Sequence, residues 1–199
     1  LLKTMITAIR PDSGEVWIDG MEVTRSPERL LEPVRRKFGV LFQDGALLNS
    51  LTVGENVALP LIEHERLRFT EIHRAVREKL ALVELKGVER MMPSELSIGM
   101  RKRVGLARAI VRDPEILLYD EPTSGLDPIT SQRINDLIRN LQREMKVTSV
   151  VVTHDLASAY RVADRIALLH DGVLVACATP EAFRRTENPV VREFIEAGA

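Results

Sequence analysis

The chain has 199 residues, 45% of them hydrophobic and 29% charged, with a formal net charge of −1 and a pI near 6.5. That size lets roughly 70% of the unfolded surface be buried around one core. The near-neutral balance lacks the basic signature of a nucleic-acid binder, the lone Cys177 excludes an internal disulfide, and no apolar run reaches the ~20 residues that a spanning helix needs.

Leu1, Leu2, Met5, Ile6 and Ile9 recur at helical spacing, which predicts a helix over Leu1 to Ala8, stopped at Arg10-Pro11-Asp12-Ser13-Gly14. The chain opens inside this pattern, on Leu1 and without a signal peptide, and reads as truncated at its N-terminus. Glu15 to Asp19 alternates, with Val16 and Ile18 on one face, and suits an antiparallel edge strand on which Trp17 is expected to pack. Pro27 to Lys37 is a polar, helical connector. Phe38 to Phe42 then reads as a buried strand that ends in Gln43.

From Asp44 to Ala107 the pattern turns helical, with helices expected over Val53 to Leu61, Thr70 to Leu85 and from near Gly99. His64 and His73 lie in this segment without partners at metal-ligand spacing and are read as surface histidines. Ser97 suits a helix N-cap, Gly99 leaves the backbone open at the first turn, and Arg101-Lys102-Arg103 reads as a solvated basic face. A helix N-terminus can hold an anion, although Ser97 needs no purpose beyond capping.

Ile116 to Tyr119 follows Asp113-Pro114 and is too short for a helix, so a buried parallel strand is expected to deliver Asp120 and Glu121 at its carboxyl end. Ligands of open α/β sheets bind beyond such ends, and adjacent side chains point to different sides there. An isolated Asp-Glu-Pro is equally a solvated turn. A helix from Ile129 to Met145, a strand from Thr148 to Thr153 ending in His154-Asp155, a helix capped by Asp155, a hairpin around His170-Asp171-Gly172 and two short helices complete the chain. The expected fold is α/β: a parallel-sheet core formed by residues 1–43 and 108–199, with an antiparallel β edge and an α-helical subdomain inserted over 44–107.

In their order, these pieces resemble the nucleotide-binding subunit of ABC transporters. The carriers are a glutamine loop at Gln43, a signature at Leu96 to Met100, a Walker B strand at Ile116 to Asp120, Glu121, Ser124-Gly125-Leu126-Asp127 and a switch histidine at His154. The resemblance implies a RecA-like P-loop NTPase core and the cofactors ATP and Mg²⁺. It implies that Asp120 and Gln43 hold the metal, Glu121 is the general base and His154 contacts the γ-phosphate. Ser97, Ile98, Gly99 and Met100 would meet nucleotide held by a second copy, with Asp127 facing that copy. A head-to-tail homodimer is therefore implied. Met100, the run Phe42 to Leu48 and the run Glu55 to Leu61 are similar to the Mla/Mkl branch. That branch implies phospholipid transport, a membrane permease docked on the helical subdomain, an MCE-domain lipid-binding protein in the complex, no nucleic acid, and a cytoplasmic location peripheral to the inner membrane.

Two departures bear on activity. Ile98-Gly99 stands where the signature usually has two glycines, and no Gly-x-x-x-x-Gly-Lys-Ser/Thr occurs, so these 199 residues alone are expected not to hydrolyse ATP. Other readings are an importer ATPase for amino acids or another polar solute, a soluble ABC protein of translation or DNA repair, and a non-catalytic module that docks on a permease.

Overall fold

A computed structural model describes residues 1–197. Its centre is a three-stranded parallel sheet, in the order β3 (Phe38–Leu41), β4 (Ile116–Asp120), β5 (Thr148–Val152). Leu41 pairs with Tyr119, and Asp120 with Val152. All three strands therefore end at one edge, where the polar residues that follow them collect. β4 occupies the middle position, with Leu117, Leu118 and Tyr119 buried, which explains its almost continuous apolar run.

Two antiparallel hairpins flank this sheet. β1 (Trp17–Ile18) and β2 (Met21–Glu22) are joined by Asp19-Gly20, and β6 (Ile166–His170) and β7 (Val173–Ala178) by Asp171-Gly172. Both loops have two residues with positive φ, 50° and 75° in the first and 47° and 77° in the second. That is the turn geometry for which Asp-Gly is favoured. The sequence pattern did not reveal β2, whose two residues carry no alternation to read. Trp17, expected to pack, is 60% exposed, and its indole Nε1–H donates to Glu15 Oε2 at 3.2 Å.

Helix α1 (Leu2–Met5) is shorter than its apolar spacing suggests. Thr7 takes a φ of 59°, the Ala8 and Ile9 amides turn back to Lys3 O, and no residue of the helix is buried. Without a packed face, apolar periodicity does not sustain so short a helix. Helix α2 (Glu28–Arg35) turns Leu31 and Val34 onto a small cluster with Ile18 and Val23.

Helices α3 (Val53–His64), α4 (Phe69–Leu82) and α5 (Ile98–Ile110) pack on one another and share a continuous apolar cluster with Leu41, Leu117 and Tyr119 of the sheet and with Ile134, Leu137, Ile138 and Leu141 of α6 (Pro128–Met145). Thr52 and Glu55 form a capping box at the start of α3, and Glu84, with a φ of 59°, lies just beyond α4. Backbone contact brings α5 onto β3. A Cβ on Gly39 would lie 2.2 Å from Ala109 O, and one on Gly105 would lie 2.9 Å from Gly45 Cα. Helix α7 (Leu156–Val162), the second hairpin, α8 (Pro180–Arg184) and α9 (Pro189–Ala197) enclose a third cluster around Phe183 and Val191. Among the described residues, no helix is long and apolar enough to cross a membrane.

Candidate functional site

Four residues marked in the sequence meet where the parallel strands end. Gln43 follows β3 with its side chain exposed, and Asp120 closes β4 with a carboxylate that forms no side-chain hydrogen bond or ion pair among the described residues. Glu121 extends the ladder by one step, its amide donating to Val152 O at 2.9 Å, and then turns away with a φ of 48°. A non-glycine residue in that region costs free energy and persists where its surroundings hold it. The turn that follows is closed by Ser124 N donating to Glu121 O and Leu126 N donating to Thr123 O.

His154, after β5, fixes the Glu121 side chain. Its backbone amide donates to Glu121 Oε1 at 3.1 Å, and its Nδ1 lies 2.9 Å from the same oxygen. Hydrogen bonding to Glu121, and then the negative charge there, raise the His154 pKa above its ordinary 6.5. The other oxygen, Oε2, is buried and has no partner. One carboxylate oxygen is therefore anchored while its twin is left with free lone pairs, an arrangement suited to orienting a water. A cleft of about 570 Å³ opens alongside, lined by Glu121, Ser124, Gln132, His154 and Arg161 among others.

Behind His154 lies a buried polar cluster. Asp155 caps α7 by accepting from Ala157 N at 2.9 Å, and Ser158 Oγ donates to Asp155 Oδ2 and accepts from Asn135 Nδ2 at 2.8 Å. Thr123 Oγ1 lies 3.3 Å from the same hydroxyl. The loops carrying Glu121 and His154 are thereby tied to α6 and α7.

The signature residues form a separate patch. Ser97 is the exposed N-cap of α5, accepting from Met100 N at 3.2 Å, and Ile98, the first helical residue, is 47% exposed. Gly99 is not open as its residue type suggested. It is buried, and a Cβ there would lie 2.9 Å from Thr130 Cγ2 at the start of α6. Asp127 caps α6, accepting from Ile129 N and Thr130 N at 3.0 Å each, and the Thr130 hydroxyl and amide bonds hold its pKa below 3.8. Gly99 thus joins the signature to the Asp127 turn, and among the described residues no hydrogen bond joins Ser97, Gly99 or Asp127 itself to Glu121 or His154.

Sequence reading missed two side chains that build the site. Lys102, taken as part of a solvated basic face, is 2% exposed, and its Nζ donates to Gln43 O at 2.8 Å and to Glu121 O at 2.9 Å. The signal was its helical spacing, which places Lys102 on the face shared by Gly99, Gly105 and Leu106, all buried. Asn56, fully buried, accepts from Leu48 N and donates to the carbonyls of Leu48, Leu51 and Thr52, which fixes the loop after Gln43. Only the fold reveals that role.

The described residues contain no group of three or more His, Cys, Asp or Glu side chains able to hold a metal by themselves. Asp120 and Gln43 nevertheless offer two unengaged oxygen donors on adjacent strand ends, a set that fits an ion taking most of its coordination from water and phosphate, as Mg²⁺ does.

The ABC transporter family matches over residues 1–124. The mkl ribonucleotide transport ATP-binding protein of Mycobacterium tuberculosis is 43% identical over 194 residues, covering 98% of this chain and 54% of its own length. The intermembrane phospholipid transport system ATP-binding protein MlaF of Escherichia coli is 40% identical over 196 residues, covering 98% of this chain and 73% of its own. This chain thus spans about half the length of the mkl relatives. A dimeric ATP-binding cassette solved in a post-hydrolysis state with ADP and Pi superposes with a TM-score of 0.81 at 36% identity, over 90% of this chain and 78% of its own. With its parallel sheet, antiparallel hairpins and packed helices in the P-loop NTPase arrangement, the chain belongs to the ABC transporter family.

Proposed function

We propose that this chain is the ATP-hydrolysing part of an ABC transporter that moves phospholipid across the cell envelope. The observation that carries the enzymatic half is the Glu121 carboxylate, anchored through Oε1 by His154 and unpaired at Oε2, beside the free Asp120 carboxylate. Asp120 and Gln43 would hold Mg²⁺, which would neutralise charge on the transferring phosphoryl group. Glu121 would orient the attacking water, and His154 would meet the γ-phosphate. Phosphoryl transfer depends mainly on such positioning and charge neutralisation. Residues 44–107 form the unit proposed to receive a permease, and the patch of Ser97, Ile98, Gly99 and Met100, exposed at Ser97 and Ile98, is proposed with Asp127 to complete the nucleotide site of a second copy. The subunit would sit in the cytoplasm against the inner membrane, with an MCE-domain protein carrying the lipid.

The phospholipid assignment leans on the MlaF relative and on the resemblance of Phe42 to Leu48, Glu55 to Leu61 and Met100. A second reading, ribonucleotide as cargo, is favoured by the name of the mkl relatives. The complete gene product, assembled in liposomes with the permease encoded beside it, tests both. ATP-dependent movement of labelled phospholipid supports the first reading, and ATP-dependent ribonucleotide uptake without lipid movement replaces it. An assembly that does not hydrolyse MgATP refutes the enzymatic half.

A further inference from the structure

Lys102 is a buried ammonium that faces two main-chain carbonyls and no carboxylate within ion-pair distance among the described residues. Burial depresses its pKa, opposed by the more distant charges of Asp44 and Glu121. Burying a cation against neutral acceptors is costly, and an apolar residue would fill this place on α5 without that cost. The two carbonyls it engages belong to Gln43 and Glu121, which follow separate strands, and Glu121 is the residue held at a φ of 48°.

The same helix grips the same loop elsewhere. Arg108 donates to Gly45 O and Ala46 O, at 2.8 Å each, while Gly105 lies so close under Gly45 that a Cβ there would approach Gly45 O to 2.9 Å. Arg108 and Gly105 therefore suffice to dock α5 on the loop, and neither reaches Glu121. Among the described residues, only Lys102 spans from α5 to both Gln43 and Glu121.

We propose that Lys102 is a positioning residue for the hydrolytic step, holding the backbone of Glu121 in its left-handed conformation and in register with Gln43, and so coupling the signature helix to the water-orienting carboxylate. This rests on the reading of the chain as an ATPase. A cross-link of this kind acts on the geometry reached in the transition state more than on ground-state binding, so its loss falls on kcat.

The test uses the complete gene product. Lys102→Met keeps the stem and removes the donors, and it is expected to lower kcat about tenfold or more while KM for MgATP stays within about threefold. Lys102→Arg, which restores charge and donors, is expected to regain most of the loss. Lys102→Leu, which likewise has no donor, carries the same measurement if Lys102→Met does not fold, and each variant is assayed well below its melting midpoint. A kcat for the donor-deleted variant within about twofold of wild type overturns the proposal, as does an equal fall in Lys102→Met and Lys102→Arg, which marks a packing role alone. A wild-type protein without turnover overturns the ATPase reading, and this inference with it.

Discussion

The Glu121 patch and the Ser97 patch are built in opposite ways. Glu121 is held by atoms from two other segments: at the end of β5, Val152 O on its amide and His154 on its carboxylate, and from α5, Lys102 Nζ on its carbonyl. Ser97 and Asp127 bond only within the first turns of the helices they cap, and Ile98 beside them is exposed. The first patch is assembled by the tertiary fold and holds one buried carboxylate oxygen without a partner. The second is complete locally and leaves Ser97 and Ile98 exposed, the form expected of a surface presented to another molecule.

The largest effect should come from the centre of the first patch. Glu121→Gln in the complete gene product keeps the size of the side chain but removes the base, and turnover should fall roughly a hundredfold or more with MgATP binding retained. Steady-state kinetics together with nucleotide titration check this, and near-normal turnover would show that another group orients the water.

Next come changes to the scaffold beneath that patch. Gly39→Ala places a Cβ 2.2 Å from Ala109 O and 2.7 Å from Leu117 Cδ2, so β3 and α5 must separate, at a cost of about 1–3 kcal/mol or more. Asn56→Ala strips four hydrogen bonds from the loop behind Gln43 and leaves buried backbone groups unpaired, at about 2 kcal/mol or more. Denaturant unfolding measures both, and wild-type midpoints would mean that α5 and this loop are not packed as described.

Much of this architecture is legible in the sequence. The strands ending in Gln43, Asp120 and His154 announce themselves as short apolar runs closed by polar groups, and Ser97 and Asp155 read as caps because their chemistry is local. Lys102, Asn56 and Ser158 are different. A lysine in a basic run, an asparagine in a helix and a serine after a cap carry no sign of which carbonyl or hydroxyl they will meet, and their roles exist only once the fold has brought Lys102 to the ends of β3 and β4, Asn56 against the loop before α3 and Ser158 against α6. Gly99 misleads for the same reason, since its missing side chain serves Thr130 of the same chain.

A smaller contrast between the patches is their response to pH. The His154 pKa is raised, so the stabilisation from its pairing with Glu121 is complete below the ordinary value of 6.5 and disappears as pH rises through the higher folded value. The Asp127 pKa is lowered, so its capping contribution is present above 3.8 and disappears as pH falls through the lower folded value. Imidazole titration by NMR should place His154 above 6.5, and Glu121→Gln should bring it back down. A His154 midpoint unmoved by that substitution would deny the pairing. The smallest effect is expected at Ile98, whose exposed side chain starts a helix. Ile98→Gly should leave turnover unchanged or raise it, at a helix-propensity cost of about 1 kcal/mol at most, and a large fall would assign the isoleucine a direct part.

The proposed division between the patches, one serving its own chain and the other a second copy, is tested most directly by mixing two inactive variants of the complete gene product. Ser97→Arg spoils only the capping patch, and Glu121→Gln spoils only the carboxylate patch. A head-to-tail dimer of one chain of each contains one site with an intact Glu121 and an intact Ser97, so mixing should restore MgATP hydrolysis that neither variant shows alone. If exchanged mixtures remain as inactive as the separate variants, the two patches do not serve opposite chains, and this account of the site is wrong.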